Sequence, residues 1–202
     1  MWHYIKQAFI PFIYLLFLAV TAVGVLMIGD QLIWLKVVLL ILNLGLYVFV
    51  VGLISNKEGQ IGYKTLLAND MERMIIIKTG EDRPLKIHQE YAWWKGFLVG
   101  AVTCAPLVIL LIVHLILFYT AGPQYNGAGT IGSFIYMVFA GFAKIDSRVP
   151  IAQWQYYFTL ISIPIMMAIT GIPYIIGAKK MEKQQEQIAE RQRQIYGEDN
   201  KQ

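Results

Sequence analysis

The stretch GFLVGAVTCAPLVILLIVHLILF, residues 96–118, decides the fold class because it contains no charged side chain. A helix needs roughly 20 mainly apolar residues to cross the hydrocarbon core of a bilayer. Three other uncharged runs meet or approach this length, at residues 8–29, 37–54 and 158–178. The sequence therefore predicts an all-α integral membrane protein with four transmembrane helices in one membrane domain, residues 1–180.

Composition and aromatic placement agree with this prediction. The chain is 57% hydrophobic and 15% charged, whereas soluble domains average about 25% charged residues. Indole rings favour the headgroup zone of a bilayer, and all five tryptophans lie at or just outside the ends of the four runs: Trp2, Trp34, Trp93, Trp94 and Trp154.

The distribution of basic residues predicts the orientation. Lys6, seven basic residues in the loop 55–95 and six in the C-terminal segment account for 14 of the 17 lysines and arginines. Basic residues accumulate on the cytoplasmic side of membrane proteins, so both termini and this loop should be cytoplasmic in a plasma membrane. A fifth span at residues 124–143 would weaken the asymmetry to 10 against 7. We predict instead a short interfacial or re-entrant helix at 133–143, within an outer loop at 119–157.

The cytoplasmic loop contains a helical stripe of apolar residues with polar residues around it. This pattern predicts an amphipathic helix that lies at the membrane surface or packs under the bundle, with Gly80 as its stop. The stripe is the candidate partner-binding surface and consists of Leu66, Leu67, Met71, Met74 and Ile75.

Two further helices are expected on the cytoplasmic side. One begins near Pro84 and runs through His88 and Tyr91 into the third span as a stalk. The other is the charged, glutamine-rich tail at residues 181–202, which either pairs with that stalk or is a solvated helix. Acidic residues alternate with the basic ones in the loop, so no nucleic-acid partner is expected.

Two polar residues at membrane depth are candidate functional groups, namely His114 and Asn43. Each also has a structural interpretation as a hydrogen-bonding residue between helices. We expect no catalytic, cofactor-binding or metal-binding residues. The three histidines are dispersed, Cys104 is the single cysteine, and the sequence lacks GxSxG, HExxH and phosphate-loop motifs.

Two segments, KGFLVG at 95–100 leading to Ala105-Pro106, and GIPYIIGAKK at 171–180, resemble uncharacterised small multi-span membrane proteins of Gram-positive bacteria. The resemblance covers roughly the second half of the chain. It implies a bacterial plasma membrane and implies no activity or site residue.

The sequence does not determine a biochemical activity, and three hypotheses remain open. The first is a non-enzymatic accessory or scaffolding subunit that binds a membrane-protein partner, or a second copy, through the cytoplasmic loop and tail. The second is a small oligomeric channel or transporter with a path lined by His114, Asn43 and the proline-containing fourth span. The third is a lipid-acting enzyme at the outer interface that uses Asp146 and Arg148.

Overall fold

The computed structural model describes residues 2–26, 28, 32–80, 84–121, 157 and 160–198. Within these residues it contains four α-helices, and each is long and apolar enough to cross a membrane. They are α1 (Trp2–Leu26), α2 (Ile33–Thr79), α3 (Lys95–Ala121) and α4 (Ser162–Glu198), and a short 3₁₀ helix occupies Ile87–Gln89. Among the described residues, the all-α prediction is confirmed, as is the prediction of four helices long and apolar enough to cross a membrane.

Contacts between helices define their relative directions. α1 is antiparallel to α2, because Gln7 bonds to Glu58 at one end and Thr21 bonds to Asn43 further along. α3 is antiparallel to α4, since Gly96 pairs with Thr170 while Cys104 pairs with Ser162. α2 and α4 run parallel, as the bonds Tyr47–Met166 and Asn56–Pro173 show. These directions are those of four alternating spans, and the alternative span at residues 124–143 lies outside the described residues.

Glycines allow α4 to approach both of its neighbours closely. A Cβ atom at Gly59 of α2 would overlap the carbonyl oxygen of Tyr174, and one at Gly177 would overlap the carbonyl oxygen of Asn56. On the α3 side, a Cβ at Gly96 would lie 2.7 Å from Cβ of Tyr174. The Thr170 hydroxyl also donates to the Gly96 carbonyl at 2.8 Å. Small residues that allow close backbone contact of this kind are typical of helix pairs in membrane proteins.

The largest departure from the predicted fold is that α2 does not end near residue 54. It continues for 47 residues to Thr79, so the second span and the predicted amphipathic helix are one helix, about 70 Å long at 1.5 Å per residue. Gly80 ends this helix as expected. Its φ of 72° lies in the left-handed region, and its N–H donates to the Ile76 carbonyl at 2.8 Å.

The prediction of a helix that starts at Pro84 and runs into the third span is wrong. Residues 84–94 form a returning segment in which only Ile87–Gln89 is helical, as a single 3₁₀ turn, and α3 begins at Lys95. Contacts with α2 hold this segment: the Tyr91 N–H donates to the Gly62 carbonyl at 3.0 Å. The projection beyond the bundle consists of α2 and α4, because α4 also continues past its apolar part to Glu198.

Candidate functional site

One end of the bundle, here called the charged end, contains Gln7, Glu58 and Lys95 and encloses a cavity of about 230 Å³. We call this cavity the basal chamber. Five separate parts of the chain place titratable groups around it: α1, α2, the 3₁₀ turn, α3 and α4. The residues that line it are His3, Gln7, Glu58, Ile61, Gly62, His88, Gln89, Lys95 and Tyr174.

Lys95 is buried at the start of α3, and its ammonium group connects the returning segment to the bundle. Its Nζ donates to the carbonyl oxygens of His88, at 3.1 Å, and Glu90, at 2.5 Å. A buried charge needs such partners, since an unpaired ammonium would lose its hydration without compensation. Two of the three Nζ protons therefore form hydrogen bonds to the backbone of the returning segment, which leaves one for another acceptor.

Glu58 forms the inner wall of the chamber, where the Gln7 amide donates to its carboxylate at 3.1 Å. Deeper in the bundle, a second void of about 20 Å³ is lined in part by Ser55, Gly96 and Thr170. That volume accommodates one water molecule. The chamber and this void share Gln7, Glu58 and Tyr174 among their lining residues.

A second polar cluster joins the returning segment to α2 above the chamber. The buried Asn69 amide donates to the Glu90 carboxylate at 2.7 Å, and the Asn69 oxygen accepts the Lys86 backbone N–H at 3.2 Å. Arg73 donates to the same carboxylate at 2.6 Å. Burial alone would raise the pKa of Glu90, but the hydrogen bonds from Asn69 and Arg73 and the charges of Arg73 and Lys95 hold it below its ordinary value.

Aromatic stacking completes the attachment of the returning segment. The Tyr91 ring stacks on that of Tyr174 of α4, with centroids 5.5 Å apart and planes 18° from parallel. Gly62 of α2 leaves room for the Tyr174 hydroxyl and for the backbone of Tyr91, because a Cβ there would lie 3.0 Å from that hydroxyl and 3.4 Å from Cα of Tyr91. α2, α4 and the returning segment therefore form one packed unit at the base of the projection.

The predicted partner-binding stripe lies on distal α2, defined as residues 64–79. Leu66, Leu67 and Ile75 are half-buried, whereas Met71 and Met74 are each 61% exposed. Ile77, which is not part of the predicted stripe, is 82% exposed. The structure thus adds a third large apolar side chain to this end of α2.

The two predicted intramembrane polar residues occupy different contacts. Asn43 bonds to α1: the Thr21 hydroxyl donates to its oxygen at 2.9 Å, and its amide donates to the Leu18 carbonyl at 3.2 Å. His114 is buried in α3, with its ring 6.3 Å from that of Phe118. The third set of candidates, Asp146 and Arg148, lies outside the described residues.

Sequence reasoning missed Lys36, which it assigned to the short connection between the first two spans. The structure buries this lysine completely, at 0% exposure. The signal was its position on the inward face of α2, four residues before Leu40 and 11 before Tyr47, both of which are buried. Lys36 is the fourth residue of α2, so it lies at the end of this helix opposite the charged end.

Among the described residues, no group of three His, Cys, Asp or Glu side chains could hold a metal ion. No protein-family model, curated protein or solved structure matches the chain. The function must therefore be argued from the sites themselves.

Proposed function

We propose that this chain is a non-enzymatic accessory or scaffolding subunit of the plasma membrane that binds a partner through its cytoplasmic projection. The observation that carries the proposal is the continuity of α2, which joins an apolar span to an exposed apolar surface within one unbroken helix. A partner held on distal α2 is thereby fixed in position relative to the membrane.

The outward faces of the helices support insertion into a bilayer. Large apolar side chains such as Phe17, Leu42 and Phe49 are exposed along the parts of α1 and α2 that lie away from the charged end. A soluble protein rarely exposes contiguous apolar surface on this scale. Most of the basic residues lie at or beyond the charged end, which supports a cytoplasmic location for the projection and for both termini.

The geometry of the projection favours a protein partner over lipid as the contact of Met71 and Met74. α2 contains no proline, and sharp kinks usually require one or another specific interruption. Met71 is therefore about 25 Å beyond residue 54, at 1.5 Å per residue. At that distance the bilayer cannot cover the exposed methionines, whereas a protein partner can.

The test is affinity purification from native membranes in mild detergent, followed by mass spectrometry. The full-length chain should co-purify with a stoichiometric membrane-protein partner, and the double variant Met71→Glu/Met74→Glu should lose it. Gln187→Glu/Gln194→Glu is the matched control, because it adds the same charge at two exposed positions of α4 and should keep the partner. Recovery of the chain alone, or full retention by the methionine double variant, would reject the proposal.

The basal chamber favours a second candidate function, a small oligomeric channel or transporter. Glu58 lines both the chamber at the charged end and the one-water void beside Thr170. Proteoliposomes should then show a flux that Glu58→Gln abolishes and that Lys57→Gln, at the exposed neighbouring position, leaves intact. Absence of flux for every small ion and solute tested would remove this candidate.

A further inference from the structure

The wall of the basal chamber carries two formal charges of opposite sign, one on Glu58 of α2 and one on Lys95 of α3. The other residues that line the chamber are uncharged when the imidazoles of His3 and His88 are counted as neutral. The lining therefore has no net charge. A ligand that matches it has no net charge either and carries one charge of each sign.

The two charges do not neutralise one another by direct contact. Among the described residues, Glu58 and Lys95 form no ion pair with each other, and neither forms one with another residue. Lys95 is nevertheless only 8% exposed. Because buried charges are usually paired with an opposite charge, a bound molecule with both charges would supply the partner that each group lacks.

The chain uses only part of the hydrogen-bonding capacity of each charged group. The carbonyl oxygens of His88 and Glu90 accept two of the three Nζ protons of Lys95. A carboxylate has about four acceptor positions, and the Gln7 amide occupies one of those on Glu58. These bonds leave one ammonium proton and several carboxylate positions for a ligand.

We propose that the basal chamber binds a small zwitterion that has a primary ammonium group and an anionic group. The anionic group of the ligand accepts the third Nζ proton of Lys95, and its ammonium group donates to the carboxylate of Glu58. A free amino acid such as glycine has this chemistry. The phosphoethanolamine headgroup of a lipid has it as well.

The size and the lining of the chamber restrict the ligand to a small polar group. Drug-sized ligands occupy pockets of about 300–1,000 Å³, whereas the volume here is about 230 Å³. The amides of Gln7 and Gln89 and the imidazole of His88 add neutral donors and acceptors to the wall. Ile61 is the single aliphatic side chain among the described residues that line the chamber, so a long apolar side chain on the ligand is disfavoured.

The position of the chamber makes it accessible to both sources of this chemistry. His88 and Gln89 line it and are exposed, so a dissolved molecule can enter beside them. Trp93 and Trp94, which directly precede Lys95, are also exposed. Indole rings favour the headgroup zone of a bilayer, so lipid headgroups are expected at the same level.

Thermal unfolding of the full chain in detergent, followed by its helical circular dichroism, tests the proposal with glycine as the free zwitterion. Because a ligand of the folded state stabilises it by mass action, the Tm should rise by roughly 3 to 5 °C for each tenfold increase in glycine concentration above the Kd. Betaine, whose nitrogen carries three methyl groups and no proton, should give no such rise. Methylammonium acetate, which supplies the two charges on separate ions, is the second control.

Mixed micelles test the lipid source. Phosphatidylethanolamine should raise the Tm, whereas phosphatidylcholine, whose headgroup is the trimethylated equivalent, should not. A rise with phosphatidylethanolamine alone would support the site and assign it to a lipid headgroup. A rise with glycine alone would support the site and assign it to a free molecule, and a rise with both would support the shared chemistry.

The variant Glu58→Gln removes the negative charge of the chamber but keeps an oxygen that can accept from Gln7. It should abolish the rise in Tm with either ligand, and its Tm without ligand shows that it folds. Glu190→Gln makes the same change at an exposed position of α4 and should keep the rise. If Glu58→Gln does not fold, the contrast between glycine and betaine on the wild-type chain decides.

Three results would overturn the inference. The first is no rise in Tm with glycine and none with phosphatidylethanolamine. The second is a rise that Glu58→Gln retains in full. The third is an equal rise with betaine or with methylammonium acetate, which would show that the effect does not require both charges and an ammonium proton on one molecule.

The inference does not depend on the accessory-subunit proposal, because the basal chamber and distal α2 are separate surfaces. Loss of every co-purifying partner, with the glycine response intact, would reject only the accessory-subunit proposal. Partner capture without any response to a zwitterion would reject only the inference. A response without flux in proteoliposomes would reject only the channel or transporter.

Discussion

Replacing Gly59 by alanine should destabilise the protein, although alanine is the better helix former. The added methyl group would overlap the carbonyl oxygen of Tyr174, which belongs to the backbone of α4 and cannot move unless that helix shifts. Overpacking of this kind costs about 1–3 kcal/mol, against a gain of about 0.5–1 kcal/mol from the loss of glycine in a helix. The free energy of unfolding should therefore fall by about 1–2 kcal/mol.

Gly45 is the matched control because it lies in the same helix, and a methyl group added there would have no packing neighbour within 4 Å. Gly45→Ala should keep or raise stability by about 0.5–1 kcal/mol, the intrinsic gain alone. At about 2–4 °C per kcal/mol for a chain of this size, the two variants should differ in Tm by roughly 3 to 12 °C.

Cys104 provides the assay without further labelling. It is a buried free thiol, so a maleimide dye that fluoresces on reaction reports its exposure as detergent-solubilised protein is heated. Gly177→Ala should behave like Gly59→Ala, because its methyl group would overlap the Asn56 carbonyl on the other side of the same crossing. A Tm for Gly59→Ala equal to or above that of Gly45→Ala would refute the close approach of α2 and α4.

Three further predictions concern polar contacts. The pKa of Glu90 is lowered on folding, so its stabilising contribution should be complete above the unfolded value of 4.5 and lost as the pH falls through the folded value. The Tm of wild type should therefore exceed that of Glu90→Gln at pH 7, and the difference should shrink as the pH is lowered to 3. A difference that stays constant over this range would contradict the prediction. Asn69→Leu should release the returning segment, which limited trypsin digestion would detect as faster cleavage after Lys86, with Thr65→Val, one turn earlier in α2, as the control. A double-mutant cycle with Thr21→Val and Asn43→Leu should give a coupling energy of about 0.6 kcal/mol, whereas additive effects would show that this bond contributes nothing.

The sequence predicts the spans well because lack of charge over about 20 residues is a local property. It also places the helix stop at Gly80, a residue suited to a left-handed cap. The continuity of α2 through Asn56, Lys57 and Glu58 was not predicted, because the change from apolar to charged composition marks the end of a span and not the end of a helix. The returning segment is predicted as a helix because the residues that hold it, Asn69, Gly62 and Tyr174, are distant from it in sequence. Their contacts take the place of the local hydrogen bonds of a helix, and a local pattern does not reveal them.

The base of the projection explains why its distal surface should move with the spans. Gly59 contacts α4, Gly62 accepts the N–H of Tyr91, and the Asn56 amide donates to the Pro173 carbonyl at 3.3 Å, all within two turns of α2. Distal α2 is therefore held from two sides where it leaves the bundle. On this reasoning Gly59→Ala should weaken capture of a partner at Met71, although Met71 is about 18 Å further along the helix. Capture unchanged in a Gly59→Ala protein of lowered Tm would show that the partner recognises the helix surface alone, without the orientation set at its base.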